Sequence, residues 1–292
     1  MRALVVVAVV ALASPARAST TTDEWLAGLT ERVIDDLRAG KPLVVEVHVP
    51  LCDNEFTRCG NAKLGDGDNP STNLYWSTTP GLGVWFARKG SGWKRVVHLT
   101  HDTGDKDVLE LHVYRRTVAA SAAWRKKGAP KTFEVDLVIH GWRGSAIDRA
   151  LAAYAADVSG KGTREIEVGE SKLAAGGAAR IVAFVGHNRL MDLDEYAWPT
   201  AGSDEKGTIA IACHTSSYMK RDVAGKTRVP LLMTNDFLFS NAAPLEAAVL
   251  TFARGGGYAQ IRLDAATAYA GVQKREVKRV FGAFTNPADK RW

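Results

Sequence analysis

A histidine and a cysteine each follow a short apolar segment in the second half of the chain. His187 comes after the run Ile-Val-Ala-Phe-Val-Gly, and Cys213 comes after Thr-Ile-Ala-Ile-Ala. Short β-branched runs bounded by Gly are typical of buried parallel strands. Because open α/β sheets carry their sites at the carboxyl ends of the strands, both side chains are expected at one sheet edge. A thiol beside an imidazole would provide a nucleophile and a general base.

The other two cysteines lie together in a segment rich in Gly, Asn and Asp. Cys52 and Cys59 are seven residues apart, and they could form a disulfide in an oxidising compartment. That pairing would leave Cys213 as the single free thiol of the chain. The alternative, that all three thiols are reduced and unrelated, stays open at this point.

The amino terminus has the pattern of a secretory signal peptide over residues 1–18. Arg2 is followed by an apolar run at residues 3–13, and Ala16-Arg17-Ala18 is a small-x-small cleavage site. We therefore expect a mature chain that begins near Ser19 and is periplasmic or secreted, without a membrane span. The formal net charge of +6 comes with scattered basic clusters and no basic stripe, which argues against nucleic acid as a partner.

The alternation of strand and helix patterns predicts an α/β fold, as a three-layer α/β/α sandwich around a mainly parallel sheet. We expect residues 19–292 to form a single domain, interrupted by a long loop insertion at about residues 51–92. Apolar runs predict strands at residues 43–50, 93–99, 108–115, 133–139, 179–185, 208–212 and 229–233. Periodic segments predict helices at residues 23–39, 145–158, 241–254 and 264–284.

The order of an apolar block with His, then an apolar block with Ala-Cys, resembles the caspase–legumain superfamily of cysteine peptidases. The resemblance implies a caspase-like fold, a peptide or protein substrate and no cofactor. It further implies that Cys213 is the nucleophile and His187 the general base and acid, with an oxyanion hole formed by backbone N–H groups near Asn188 and Cys213. Asn188 stands where members of that superfamily usually have Gly.

A more extensive resemblance, over about residues 43–282, is to a family of exported bacterial proteins without an assigned activity. It is carried by Leu51-Cys52-Asp53-Asn54, by residues 65–76, by residues 186–192 and by residues 212–218. This resemblance implies that the segment belongs to the same kind of domain, but it implies no substrate.

Two alternatives assign a role to His140 or its neighbours. The segment Ile139-His140-Gly141-Trp142 is similar to the strand and oxyanion loop of α/β-hydrolases, although Asn188 then occupies the place of the nucleophilic serine. His140 could also be the base for Cys213 in place of His187. Because consecutive strands are usually neighbours, His187 is the favoured partner.

A non-catalytic module for ligands or peptides is the remaining alternative. The 51–92 segment contains Tyr75, Trp76, Trp85 and Phe86, which could line a carbohydrate or peptide groove or could instead be core anchors. A reactive thiol would distinguish an enzyme from such a module. No metal site is predicted, because the His and Cys residues lack the paired spacing of zinc ligands. The substrate and the oligomeric state are left open.

Overall fold

The computed structural model describes residues 21–292, so the predicted signal peptide lies outside the described residues. The strands of the described residues are β1 (Leu43–Pro50), β2 (Lys94–Leu99), β3 (Val108–Ala119), β4 (Thr132–Trp142), β5 (Arg164–Val168), β6 (Ser171–Ala175), β7 (Ile181–Val185), β8 (Lys206–Ile211), β9 (Arg228–Thr234) and β10 (Phe284–Thr285). The helices are α1 (Thr21–Arg38), α2 (Leu82–Trp85), α3 (Ala122–Lys126), α4 (Ile147–Val158), α5 (Thr215–Val223), α6 (Ala242–Ala253), α7 (Tyr258–Gln273) and α8 (Val277–Val280).

Eight of these strands form one mixed sheet in the order β10-β9-β8-β7-β1-β4-β3-β2. The five central strands, β9, β8, β7, β1 and β4, are parallel to one another. Strands β3 and β2 extend the sheet on one side, and β10 on the other, as antiparallel neighbours. The prediction of an α/β fold with a mainly parallel sheet is therefore confirmed.

Strand β1 lies at the centre of the sheet, and all eight of its residues are buried. Its alternate residues belong to two different apolar clusters, as expected when successive side chains leave a strand in opposite directions. Val45 and Val47 pack in the cluster that includes apolar residues of α1, α6 and α7. Val44 packs in the cluster that includes apolar residues of α4 and α5. This double burial explains why the sequence of β1 is apolar at most positions.

Two details differ from the expected element boundaries around His140. Strand β4 continues to Trp142, because its last residues pair with β3 and with β1. His140 therefore lies inside a strand opposite His48, and not beyond the end of the strand predicted at residues 133–139. The helix predicted at residues 145–158 begins only at Ile147, because Ser145 lies within a 3₁₀ turn.

The carboxyl-terminal helix was predicted at the wrong place. The structure has α7 from Tyr258 to Gln273, preceded by an extended Gly257 without a side-chain cap. The helix ends at Lys274, which adopts a left-handed backbone with φ of 51°. Gly257 is a weaker signal for a helix start than Ser, Asp or Asn, because it makes no side-chain cap bond. The β5–β6 hairpin and α5 were also missed.

The segment at residues 51–92 is a long connection in which α2 is the one described α-helix. Cys52 and Cys59 form a disulfide with their Cα atoms 5.9 Å apart. The buried side chain of Asn73 ties this segment together, since it donates to the carbonyl of Cys52 at 2.8 Å and accepts from the N–H of Cys52 at 3.0 Å. The long insertion is thus internally cross-linked.

Candidate functional site

The register of β7 and β8 brings His187 and Cys213 to the same edge of the sheet. The two strands pair in parallel up to Val185 and Ile211, and each candidate residue lies two positions further along its chain. The pairing is extended by one more bond, because the N–H of Gly186 donates to the carbonyl of Ile211 at 3.2 Å. Both residues therefore follow the carboxyl ends of neighbouring parallel strands, where sites of open α/β sheets are found.

Two buried side chains hold the ends of these strands together. The Asn188 amide donates to the carbonyl oxygen of Cys213 at 2.7 Å. The Ser240 hydroxyl lies 2.8 Å from the carbonyl oxygen of Gly186 and 3.1 Å from that of Ile211. These contacts leave little freedom for one strand end to move relative to the other.

The backbone of Asn188 is not in the left-handed conformation that would favour glycine at this position. Its φ is −83°, an extended conformation, and its side chain accepts from the N–H of Leu190 at 3.3 Å to begin a 3₁₀ turn. The left-handed backbone in this region belongs to His214, with φ of 51°, directly before α5. The resemblance to superfamily members with Gly at this position therefore does not extend to a left-handed backbone at Asn188.

His187 has a carboxylate partner that the sequence did not identify as a site residue. The Nε2 of His187 lies 2.6 Å from the Oδ2 of Asp192, across the 3₁₀ turn formed by Arg189–Met191. When Asp192 accepts the proton on Nε2, the lone pair of the neutral ring lies on Nδ1. An aspartate that orients an imidazole in this way is the usual support for a general base.

Cys213 is a half-buried free thiol two residues before the first residue of α5. Its sulfur contacts the carbonyl oxygen of Leu238 at 3.8 Å. Within residues 21–292, the hydrogen bonds of Cys213 involve its carbonyl and its thiol, and its backbone N–H has no acceptor. The side chains of His187 and Cys213 are not hydrogen-bonded to each other in this structure.

Two tyrosines lie within electrostatic range of the thiol. Burial raises the pKa of Tyr75, and negative charge on Cys213 raises it further. Burial also raises the pKa of Tyr269, whose hydroxyl oxygen accepts from the N–H of Phe239 at 3.0 Å. Both phenols are therefore neutral at ordinary pH.

An apolar cavity of about 900 Å³ lies between α6 and α7. Its apolar lining consists mainly of Phe239, Ala243, Ala247, Leu250, Ala268 and Val272. Phe239 follows Leu238, whose carbonyl contacts the thiol of Cys213, so one chain segment contacts both the thiol and the cavity. The carboxylate of Glu246 also lines the cavity, but it accepts from the indoles of Trp85 and Trp93 at 2.7 Å each.

His140 is not available for chemistry with an external substrate. Its side chain is 3% exposed, and its Nε2 lies 2.6 Å from the Oε1 of Glu46. The guanidinium of Arg164 contacts Glu46 at 3.0 Å and Asp157 at 2.9 Å, so two buried carboxylates share one partly exposed cation. These interactions form a buried ion-pair network, and they argue against His140 as the base for Cys213.

The same network fixes the protonation of His48. The indole N–H of Trp142 donates to the Nδ1 of His48 at 3.2 Å, so the proton of the neutral ring is on Nε2. That proton is donated to the Oδ2 of Asp157 at 2.9 Å. Burial lowers the pKa of His48, which keeps the ring neutral.

Three of the four aromatic residues proposed for a groove are core residues. Phe86 is fully buried, and Trp76 and Tyr75 are 2% and 8% exposed. Trp85 is partly buried, and its ring carries the guanidinium of Arg88 at 3.1 Å from the ring centroid. A binding surface made by these four aromatics together is therefore not present.

Comparison of the chain with protein-family models, with curated proteins and with solved structures finds no match. In the part of the chain that the structure describes, no helix combines the length and the apolar character needed to cross a membrane.

Proposed function

We propose that this protein is an exported thiol-dependent hydrolase that acts on peptide bonds. The observation that carries the proposal is the common position of His187 and Cys213, each two residues beyond the last paired residues of adjacent parallel strands. The bond from Asn188 to the carbonyl of Cys213 supports it, because that bond fixes the two strand ends relative to each other.

In the proposed reaction, the Cys213 sulfur attacks the substrate carbonyl after its proton has passed to His187. The tetrahedral oxyanion is stabilised by the unpaired N–H of Cys213 and by neighbouring backbone N–H groups near Asn188. The imidazolium of His187 then protonates the leaving amine as the carbon–nitrogen bond breaks. Water, deprotonated by the same imidazole, hydrolyses the thioester and releases Cys213. Asp192 acts as a positioning residue, because it orients the imidazole.

The proposal includes a three-layer, caspase-like arrangement of the fold and an extracytoplasmic location. The two apolar clusters support the layers, since α1, α6 and α7 contribute to one and α4 and α5 to the other. The signal-like pattern of residues 1–18 supports export. The Cys52–Cys59 disulfide is compatible with an oxidising compartment.

The test is digestion of a peptide library by the purified protein, with cleavage products identified by mass spectrometry. We expect cleavage by the wild type and its loss, by orders of magnitude, in Cys213→Ala and in His187→Ala. His101→Ala is the matched control, since His101 is exposed and remote in sequence from both residues. Equal cleavage by wild type and Cys213→Ala, or no cleavage by any of the proteins, would contradict the proposal.

A second candidate is a non-catalytic binding protein, and the 900 Å³ apolar cavity between α6 and α7 favours it. Such a protein would bind an apolar ligand equally well as wild type and as Cys213→Ala. Its Cys213 would react with thiol reagents only after denaturation. The two candidates thus differ in the reactivity of one side chain in the native protein.

A further inference from the structure

Two histidines and a glutamate meet at the β2 side of the sheet, away from β7 and β8. His98 of β2 lies directly opposite His112 of β3 in the antiparallel register, and their ring centroids are 4.5 Å apart. Glu110 is on the same strand as His112, two residues earlier, so both side chains leave β3 on one face. The Oε2 of Glu110 is 2.9 Å from the Nε2 of His112 and 3.6 Å from the Nε2 of His98.

The two ring nitrogens of His112 have different neighbours, since Nε2 faces Glu110 and Nδ1 faces Tyr114. The hydroxyl of Tyr114 donates to the carbonyl of Gly83 at 2.9 Å, so its single proton is used there. The Tyr114 oxygen lies 3.3 Å from the Nδ1 of His112 and can only accept from it. In the neutral tautomer that donates from Nδ1 to Tyr114, Nε2 presents a lone pair toward Glu110.

A cation could be bound between the Oε2 of Glu110 and the Nε2 of His112. The Oε2 of Glu110 already accepts from the indole of Trp76 at 2.9 Å. The Oε2 of Glu110 therefore lies within reach of the Nε2 of His112, at 2.9 Å, and of the Nε2 of His98, at 3.6 Å.

We propose that His98, Glu110 and His112 bind one divalent transition-metal ion, with zinc as the preferred ion. Two imidazoles and one carboxylate are a known ligand set of zinc, with a fourth position left for water. Ligand atoms around a tetrahedral zinc lie roughly 3.3–3.5 Å apart, and the two nitrogen–oxygen distances of 2.9 and 3.6 Å bracket that range. The His98 side chain is 38% exposed, so solvent and the ion can reach the site.

Two neighbouring side chains, Tyr114 and Trp76, would orient the ligands of the metal ion. Tyr114 accepts from the Nδ1–H of His112, which directs Nε2 toward the ion. Trp76 holds the carboxylate of Glu110 in place. By contrast, the buried group of Glu46, His48 and Asp157 does not meet this condition, because the Nε2 of His48 carries a proton that Asp157 accepts.

Zinc binding by purified protein without an affinity tag tests the proposal. The measurements are competition with a chromophoric chelator and the visible spectrum of the Co²⁺-loaded protein. All proteins carry Cys213→Ala, so that the candidate thiol site cannot contribute to binding. In this background, His98→Ala and Glu110→Gln remove one ligand each, and His101→Ala is the matched control, since His101 is an exposed histidine three residues from His98.

We expect one Zn²⁺ per chain in the Cys213→Ala background and in the His101→Ala variant, with a tetrahedral Co²⁺ spectrum. Loss of either ligand should weaken zinc binding at least about a hundredfold, while the circular dichroism spectrum stays unchanged. Absence of stoichiometric binding, or equal affinity in His98→Ala and His101→Ala, would overturn the proposal. The result is independent of whether the protein cleaves peptides.

Discussion

The side-chain amide of Asn188 donates a hydrogen bond to the carbonyl oxygen of Cys213 at 2.7 Å, and this bond joins the exits of two neighbouring parallel strands. Asn188 is fully buried, and Cys213 is half-buried. It connects the residue after the candidate base to the candidate nucleophile itself. The geometry of the site therefore depends on a side chain that does no chemistry.

The first prediction concerns this bond. Asn188→Gly removes both the donor to Cys213 and the cap of the following 3₁₀ turn. We expect the free energy of unfolding in urea to fall by about 1–3 kcal/mol, and peptide hydrolysis to fall with it. Asn188→Asp keeps the capping oxygen but replaces the N–H donor with an acceptor that faces the Cys213 carbonyl, so it should destabilise the site as well. Unchanged stability and turnover in Asn188→Gly would contradict the role given to Asn188.

The second prediction concerns Asp192 as a positioning residue. In Asp192→Asn the side-chain amide can donate to the Nε2 of His187, which would move the ring proton to Nδ1 and remove the lone pair of the base. We expect kcat to fall at least about tenfold, with a smaller change in KM. The matched control is Asp194→Asn, an exposed aspartate two residues away. Equal kcat for the two variants would show that Asp192 does not orient the base.

The third prediction concerns the buried ion-pair network and acid stability. Burial alone would raise the pKa of Glu46, but His140 and Arg164 lower it from 4.5 to about 2. A carboxyl with a lowered pKa stabilises the fold above its unfolded pKa, and this contribution is lost as the pH falls from about 4.5 toward 2. His48, which faces Asp157, has a pKa lowered by burial, so its contribution is lost as the pH falls below about 6.5.

Urea unfolding at several pH values checks this expectation. At neutral pH, Glu46→Gln should cost roughly 3–5 kcal/mol, because it leaves the charge of Arg164 partly unpaired. Below about pH 4.5 the difference between variant and wild type should shrink. Glu165→Gln is the control, since the pair of Glu165 with Lys172 is exposed. A difference that does not change with pH would be inconsistent with a charged Glu46.

Much of the parallel core could be predicted because its strands are buried on both sides. The eight residues of β1 were predicted with their observed bounds, since every one of them is buried and most are apolar. The positions of His187 and Cys213 at one edge followed from the same reasoning. The amide bridge from Asn188 was not foreseen, because a side chain that contacts the backbone of another strand leaves no periodic signal.

The residues that were missed depend on tertiary pairing. Asp192 is five residues from His187, and only the intervening 3₁₀ turn brings its carboxylate to the imidazole. His98 and His112 are fourteen residues apart and become neighbours through the register of an antiparallel hairpin with a bulge. A search for short ligand spacings cannot find such a pair.

The fourth prediction concerns the reactivity of the free thiol, and its measurement tests the central claim most directly. The rate constant for alkylation of Cys213 by iodoacetamide should be measured on native wild type, His187→Ala and the control His101→Ala, with peptide mapping. Cys52 and Cys59 do not compete, because they are joined in a disulfide. If His187 and Cys213 act as a pair, native wild type and His101→Ala react readily, and His187→Ala reacts at least about tenfold more slowly. Equal rates for wild type and His187→Ala, or labelling of Cys213 only after denaturation, would contradict the account.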